Sequence, residues 1–179
     1  FSFRRNILPE LRISSDWGIE IGILSEMQRN FSPQNICQVN LADTYDHKHQ
    51  DLSIDDEKKG LSRMSIDIIK TFIKKLATQG HSFSREQLRS LKATYYRSAL
   101  DLIDAYRSDA EMNGLNFDSH SEEKAVELFS SNIIKAGEAF YLNPMDAPFI
   151  PTWSRVKSAI PDFLTRLEKA VNEDNKRYV

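Results

Sequence analysis

Apolar residues recur at helical spacing along most of this chain and at strand spacing in one short stretch. Ile19, Ile23 and Met27 lie on one helical face. With Ser14-Ser15-Asp16 as a cap, they predict a helix from Trp17 to about Gln28. Gly18 and Gly22 fall inside it, each costing about 1 kcal/mol relative to alanine. Close approach of a ligand or a neighbouring strand is the usual reason for such glycines. Ser32-Pro33-Gln34-Asn35 reads as a turn. Ile36-Cys37-Gln38-Val39-Asn40-Leu41 alternates apolar and polar, as a half-buried strand does. The polar run from Asp43 to Asp51 then reads as a strand-to-helix loop, where chemistry tends to sit.

Beyond that loop the pattern is helical. Leu61, Met64, Ile68, Ile69, Phe72, Ile73 and Leu76 form a stripe, with Lys70, Lys74 and Lys75 largely off it. Gly80 ends this helix. Ser84-Arg85-Glu86-Gln87 is a capping box for the next, whose expected buried face is Leu88, Leu91, Tyr95, Leu102 and Tyr106. Gly114 and the polar residues around Asp118 make a loop. Ser121 caps a third helix bearing Val126, Phe129, Ile133, Gly137 and Phe140. Pro144, Pro148 and Pro151 hold an extended connection. A short helix near Trp153–Ala159 follows, and Pro161 opens a last helix over residues 162–173. The expected class is α+β, mainly α-helical, with a short strand region followed by a helical extension.

Composition narrows the functional classes. The 179 residues are 40% hydrophobic and 28% charged, enough for one domain with a core. A net charge of -2 gives no electrostatic case for nucleic acid or an anionic membrane. No apolar run approaches the roughly 20 residues that span a bilayer, and no signal peptide is visible. The single cysteine, Cys37, forbids an intrachain disulfide and fits a reducing, cytoplasmic setting. The chain opens Phe1-Ser2-Phe3-Arg4-Arg5, without methionine, which reads as a cut inside a larger protein or as tag removal.

Two groups of residues carry candidate chemistry. In an extended loop His47 and His49 point the same way and can reach one site. Asp43, Asp46 and Asp51 offer hard oxygen donors suited to magnesium or manganese. The bland reading is a solvated polar loop. Trp17 with Glu20 can form a sugar platform, the ring stacking on the sugar and the carboxylate accepting hydroxyl hydrogen bonds. The bland reading there is a core tryptophan and an acid favoured by the helix dipole. Arg4-Arg5, His81, His120 and Cys37 receive no role. Asp55-Asp56-Glu57 reads as first-turn acids of the helix that follows. No phosphate-cradling glycine loop, G-x-S-x-G elbow or H-E-x-x-H is present.

Three stretches, in order, resemble the glucosyl-3-phosphoglycerate synthases, and more distantly the mannosylglycerate-type synthases. Phe1-Ser2-Phe3-Arg4-Arg5-Asn6-Ile7-Leu8 resembles the segment after their acceptor loop. Trp17-Gly18-Ile19-Glu20-Ile21-Gly22-Ile23-Leu24 resembles their aromatic-Gly-Val/Ile-Glu helix. Gln38-Val39-Asn40-Leu41 with Tyr45-Asp46-His47-Lys48-His49-Gln50 resembles their strand and histidine loop. The tail, with Pro151-Thr152-Trp153-Ser154-Arg155-Val156, is similar to their C-terminal extension. The resemblance implies the C-terminal part of a GT-A glycosyltransferase. Residues 1–52 would be the acceptor and metal-loop remnant of the catalytic domain, and residues 53–179 the helical extension. It implies a retaining, divalent-metal-dependent (Mg2+ or Mn2+) transfer of glucose or mannose from a nucleotide diphosphate sugar to 3-phosphoglycerate or a similar acceptor. His47 would be a metal ligand, His49 an acceptor contact, Glu20 the carboxylate near the transferred sugar and Trp17 a neighbouring aromatic. The sequence has no Asp-x-Asp motif or nucleotide-binding half, so alone it is expected to be inactive and to self-associate as a homo-oligomer. A helical interaction module and a small metal-binding protein are the alternatives.

Overall fold

A computed structural model describes residues 2–39, 50–145 and 150–177. Within them the chain forms six α-helices: α1 (Ile19–Asn30), α2 (Gly60–Thr78), α3 (Arg85–Met112), α4 (Ser119–Leu142), α5 (Trp153–Ala159) and α6 (Phe163–Arg177). α4 is central, packing on α2 along one side and on α3 along another, while α1 packs on α2. Ile73, Leu88, Ile103, Val126, Leu128, Ile133 and Ala136 are buried where these helices meet. Near the C-terminus, α5 rests on the 3-10 turn Arg5–Glu10, and α6 packs on α5. Ile13 and Ile150 form an antiparallel bridge that ties the two ends together.

Local chemistry sets most of the helix boundaries. Gly80 (φ +88°) lets α2 stop abruptly: the His81 N–H bonds the Leu76 carbonyl and the Gly80 N–H bonds Ala77. This is a Schellman ending, which satisfies carbonyls the last turn leaves open. Ser84 and Gln87 form the expected capping box at the start of α3. For α4 the cap is Asp118, which accepts from the Ser121 N–H at 3.1 Å. Ser121, expected as the cap, is the third residue of the helix.

The expected α+β class is corrected. No strand occurs among the described residues. Residues 36–39 are irregular, with Ile36 and Val39 exposed, and Asn40 and Leu41 lie outside the described residues. Alternation makes a strand only where a neighbouring strand takes up its N–H and C=O groups. Here the described backbone offers residues 36–39 no such ladder.

Two buried faces also differ from expectation. Lys70, Lys74 and Lys75 are buried, because α1 and α4 both pack on α2 and cover more than its apolar stripe. Lysine stems lie readily along apolar surface, and all three side chains are engaged with neighbours. On α3 the buried residues are Leu88, Ile103 and Ala110, whereas Leu91, Leu102 and Tyr106 are exposed.

Candidate functional site

The segment before α2 folds back on the helix it introduces. The Asp51 carbonyl accepts from the Leu61 N–H at 2.8 Å and the Leu52 carbonyl from the Ser62 N–H at 3.2 Å. Gly60 makes this possible. Its φ is +51°, and a Cβ there would stand 2.2 Å from the Asp51 oxygen. Between these ties, Asp56 organises a turn. Its carboxylate accepts from the Lys58 N–H at 3.0 Å and pairs with Lys59 at 3.0 Å. The Lys58 hydrogen bond, then the Lys59 contact, hold the Asp56 carboxyl below its ordinary value. Thus Asp55-Asp56-Glu57 precede the helix as a turn, and Glu57 pairs with Lys135 of α4 at 2.6 Å.

The fold-back opens a shallow cleft of 380 Å³ whose walls include Trp17, Gln50, Asp51, Lys58, Lys59 and Arg63. Trp17 is held there from α2. Its backbone N–H bonds the Asp67 carboxylate, which also lies 3.6 Å from the Arg63 guanidinium. Burial, with the nearby Asp16 charge, pushes the Asp67 carboxyl up against the opposing pull of Arg63, Lys70 and the Trp17 N–H. Asp16 in turn accepts from the Gly18 N–H at 2.9 Å and from Ser14 at 2.6 Å. An aromatic ring beside three cations and a carboxylate suits a polar ligand carrying a phosphate group.

The four site residues read from the sequence fare differently. Trp17 lines the cleft and is exposed rather than buried in the core. Glu20 is exposed in the first turn of α1 and is not part of the cleft wall. His47 and His49 lie outside the described residues, although Gln50 and Asp51, which follow them directly, line the cleft. Among the described residues no group of three or more His, Cys, Asp or Glu side chains could share a metal ion. Of the donors expected in the polar loop only Asp51 is described. Sequence reading missed Lys58, Lys59 and Arg63. The run Lys58-Lys59-Gly60 was the available signal, since a glycine beside paired cations marks a turn that can present them.

A second cleft, of 340 Å³, lies where the end of α2 meets the end of α4, lined by His81, Phe83, Phe140 and Tyr141. Two of its lining residues are joined by a hydrogen bond, the Tyr141 hydroxyl donating to the Phe83 carbonyl. No described helix is long and apolar enough to cross a membrane.

Comparison with known proteins gives the following. No protein-family model matches the chain, and no solved structure matches it. Among curated proteins, the chain is 40% identical over 175 residues to a glucosyl-3-phosphoglycerate synthase of Persephonella marina, which covers 98% of the chain and 43% of that protein. It is 37% identical over 179 residues to a glucosyl-3-phosphoglycerate synthase of Methanococcoides burtonii, covering 99% of the chain and 44% of that protein. The chain therefore spans less than half the length of these relatives. Homology at this level across nearly every residue makes the chain a member of the glucosyl-3-phosphoglycerate synthase family, a family of sugar transferases.

Proposed function

We propose that this chain is the C-terminal, acceptor-side part of a retaining hexosyltransferase. The whole protein would move glucose or mannose from a nucleotide diphosphate sugar to 3-phosphoglycerate or a similar small acid. The observation that carries this reading is the 37–40% identity to two synthases over almost the whole chain. The cleft beside Trp17 supports it, because Lys58, Lys59 and Arg63 offer charge-assisted donors to an anionic substrate.

Within this reading, residues 1–52 belong to the acceptor and metal region and residues 53–179 to the helical extension. His47 serves as a ligand to a divalent metal, magnesium or manganese, and His49 contacts the acceptor. Glu20 orients sugar hydroxyls and stabilises positive charge at the anomeric carbon. Trp17 gives the sugar or acceptor an apolar face. The chain on its own is expected to be inactive.

The test is an assay of the full-length gene product with a panel of nucleotide sugars, with and without 3-phosphoglycerate and divalent metal. Transfer that requires the phosphorylated acceptor supports the proposal. Absence of such transfer with every donor overturns it.

A further inference from the structure

Asp67 stands behind the wall of the cleft beside Trp17. It lies on α2 with its side chain only 14% exposed, and it is not among the cleft-lining residues. Two residues that do line the cleft are nonetheless tied to it. The Trp17 backbone N–H bonds its carboxylate, and the Arg63 Nε lies 3.6 Å from its Oδ2.

Stability does not explain a carboxylate at this point. Burial, and then the nearby Asp16, work against its charge. Its buried Oδ2 has no hydrogen-bond partner. The pair with Arg63 sets the base N-terminal to the acid, the weaker order for an i,i+4 pair on a helix. Groups that cost the fold are kept where a site needs them.

The chain of restraint runs from the backbone outward. The main chain on either side of Trp17 is pinned. Asp16 accepts from the Gly18 N–H at 2.9 Å, and Gly18 lies so close to the buried Thr71 that a Cβ would not fit. The Trp17 N–H is therefore a fixed donor, and it fixes the carboxylate of Asp67. Arg63 has no comparable anchor. Its side chain is long and 56% exposed, with many rotamers open to it. The fixed charge of Asp67 draws it to one side. The contact runs through Nε, which leaves the terminal amino groups of the guanidinium to grip an anion. We infer that Asp67 is a positioning residue of the cleft, aiming the Arg63 guanidinium at a phosphate group bound beside Trp17. The inference rests on reading the cleft as the site of a phosphate-bearing substrate.

Titration of the full chain with inorganic phosphate tests it. In a Trp153→Phe background Trp17 is the one tryptophan left, and its fluorescence reports binding. Arg63→Ala should weaken phosphate binding about tenfold. Asp67→Asn keeps an oxygen for the Trp17 N–H and should weaken it about fivefold. The sign is diagnostic, because on charge alone the loss of an anion near the cleft would tighten phosphate. In the Arg63→Ala background Asp67→Asn should bring no further loss. A purely structural Asp67 would change stability and leave phosphate affinity where it was. Three results overturn the inference: an unmodified chain that binds no phosphate, an Asp67→Asn chain that binds it as tightly or more tightly, and an equal further loss in the Arg63→Ala background. The expected pattern in a protein whose full-length form transfers no sugar supports this role and overturns only the proposed reaction. Transfer with a KM for the phosphorylated acceptor unmoved by Asp67→Asn leaves that reaction standing and overturns the role.

Discussion

Glu26 of α1 and Lys75 of α2 form an ion pair in which the side chains are only 6% and 5% exposed. Arg29 and Asn30 also donate to the Glu26 carboxylate, at 2.9 and 3.3 Å. The pair fastens the helix that carries Glu20 to the bundle. Burial pushes the Glu26 carboxyl up, but hydrogen bonds and charge from Lys75 and Arg29 outweigh it, leaving it below the ordinary 4.5. A carboxyl lowered on folding contributes stability that is present above the ordinary value and is lost as pH falls through the folded one. Glu26→Gln removes the carboxylate charge from this buried pair. The expected cost is about 3–5 kcal/mol at pH 7 by chemical denaturation, with a flatter acid limb below pH 4.5. Replacing both partners, as Glu26→Gln with Lys75→Met, should recover most of that loss. A double variant as weak as the single one would show that the pair's packing, not its charge, is what matters.

The two glycines of the α1 region have different reasons to be there. A Cβ on Gly18 would stand 2.0 Å from the Thr71 hydroxyl oxygen and 2.4 Å from its Cβ. Thr71 is fully buried and cannot move aside. At Gly22 a Cβ would meet its nearest neighbours, Ser14 and Thr71, at 3.8 Å, an ordinary contact. Gly18→Ala should therefore destabilise by about 2–4 kcal/mol. Gly22→Ala should be neutral or stabilising by up to about 1 kcal/mol, from helix propensity. Thermal melts of the two variants side by side check this contrast, and equal effects would refute it.

These contacts mark how far the sequence can be read. Signals that act within one helix turn were legible. The Ser84–Gln87 box, the Gly80 stop and the short helix Trp153–Ala159 all appear where expected. What a helix packs against was not legible, because periodicity identifies an apolar face without saying which neighbour covers it. That is why Leu102 and Tyr106, expected inside, are exposed, while Lys75, expected outside, is buried. Within the alternating run, residues 36–39 form no strand for the same reason, since a strand is a property of a pair. Trp17 was legible as a candidate. The cations beside it were not, because the fold-back at Gly60 brings them there.

Asp67 links the cleft to the core and works against Glu26 in its pH response. Its carboxyl is raised above the ordinary 3.8 by burial and by Asp16, and its Oδ2 is buried without a hydrogen-bond partner. A carboxyl raised on folding contributes stability present below the ordinary value and lost as pH climbs through the folded one. Ionised Asp67 is thus a cost at neutral pH. Asp67→Asn keeps an oxygen for the Trp17 N–H and removes the charge. It should stabilise the chain by about 0.5–1 kcal/mol at pH 7, with the gain shrinking at lower pH until the two proteins match below pH 3.8. Urea titrations across that range measure it, and a gain that grows on acidification would contradict the assignment.

The last prediction separates binding from chemistry in the proposed transferase. Lys58 and Arg63 face the cleft as fixed positive charge, which attracts an anionic substrate equally before and during the reaction. Glu20 is assigned to charge that develops at the anomeric carbon, which exists only during the reaction. In the full-length protein, Lys58→Glu should raise KM for the phosphorylated acceptor about tenfold or more with little change in kcat. The effect should shrink at high salt, because the cleft is open to solvent. Glu20→Gln should lower kcat and kcat/KM together while leaving donor affinity nearly unchanged. Lys169→Glu, on α6 and outside the cleft wall, serves as the control and should change neither. A kcat loss at Lys58 with unchanged KM would move that lysine out of the binding role. A pure KM effect at Glu20 would remove it from the reacting centre.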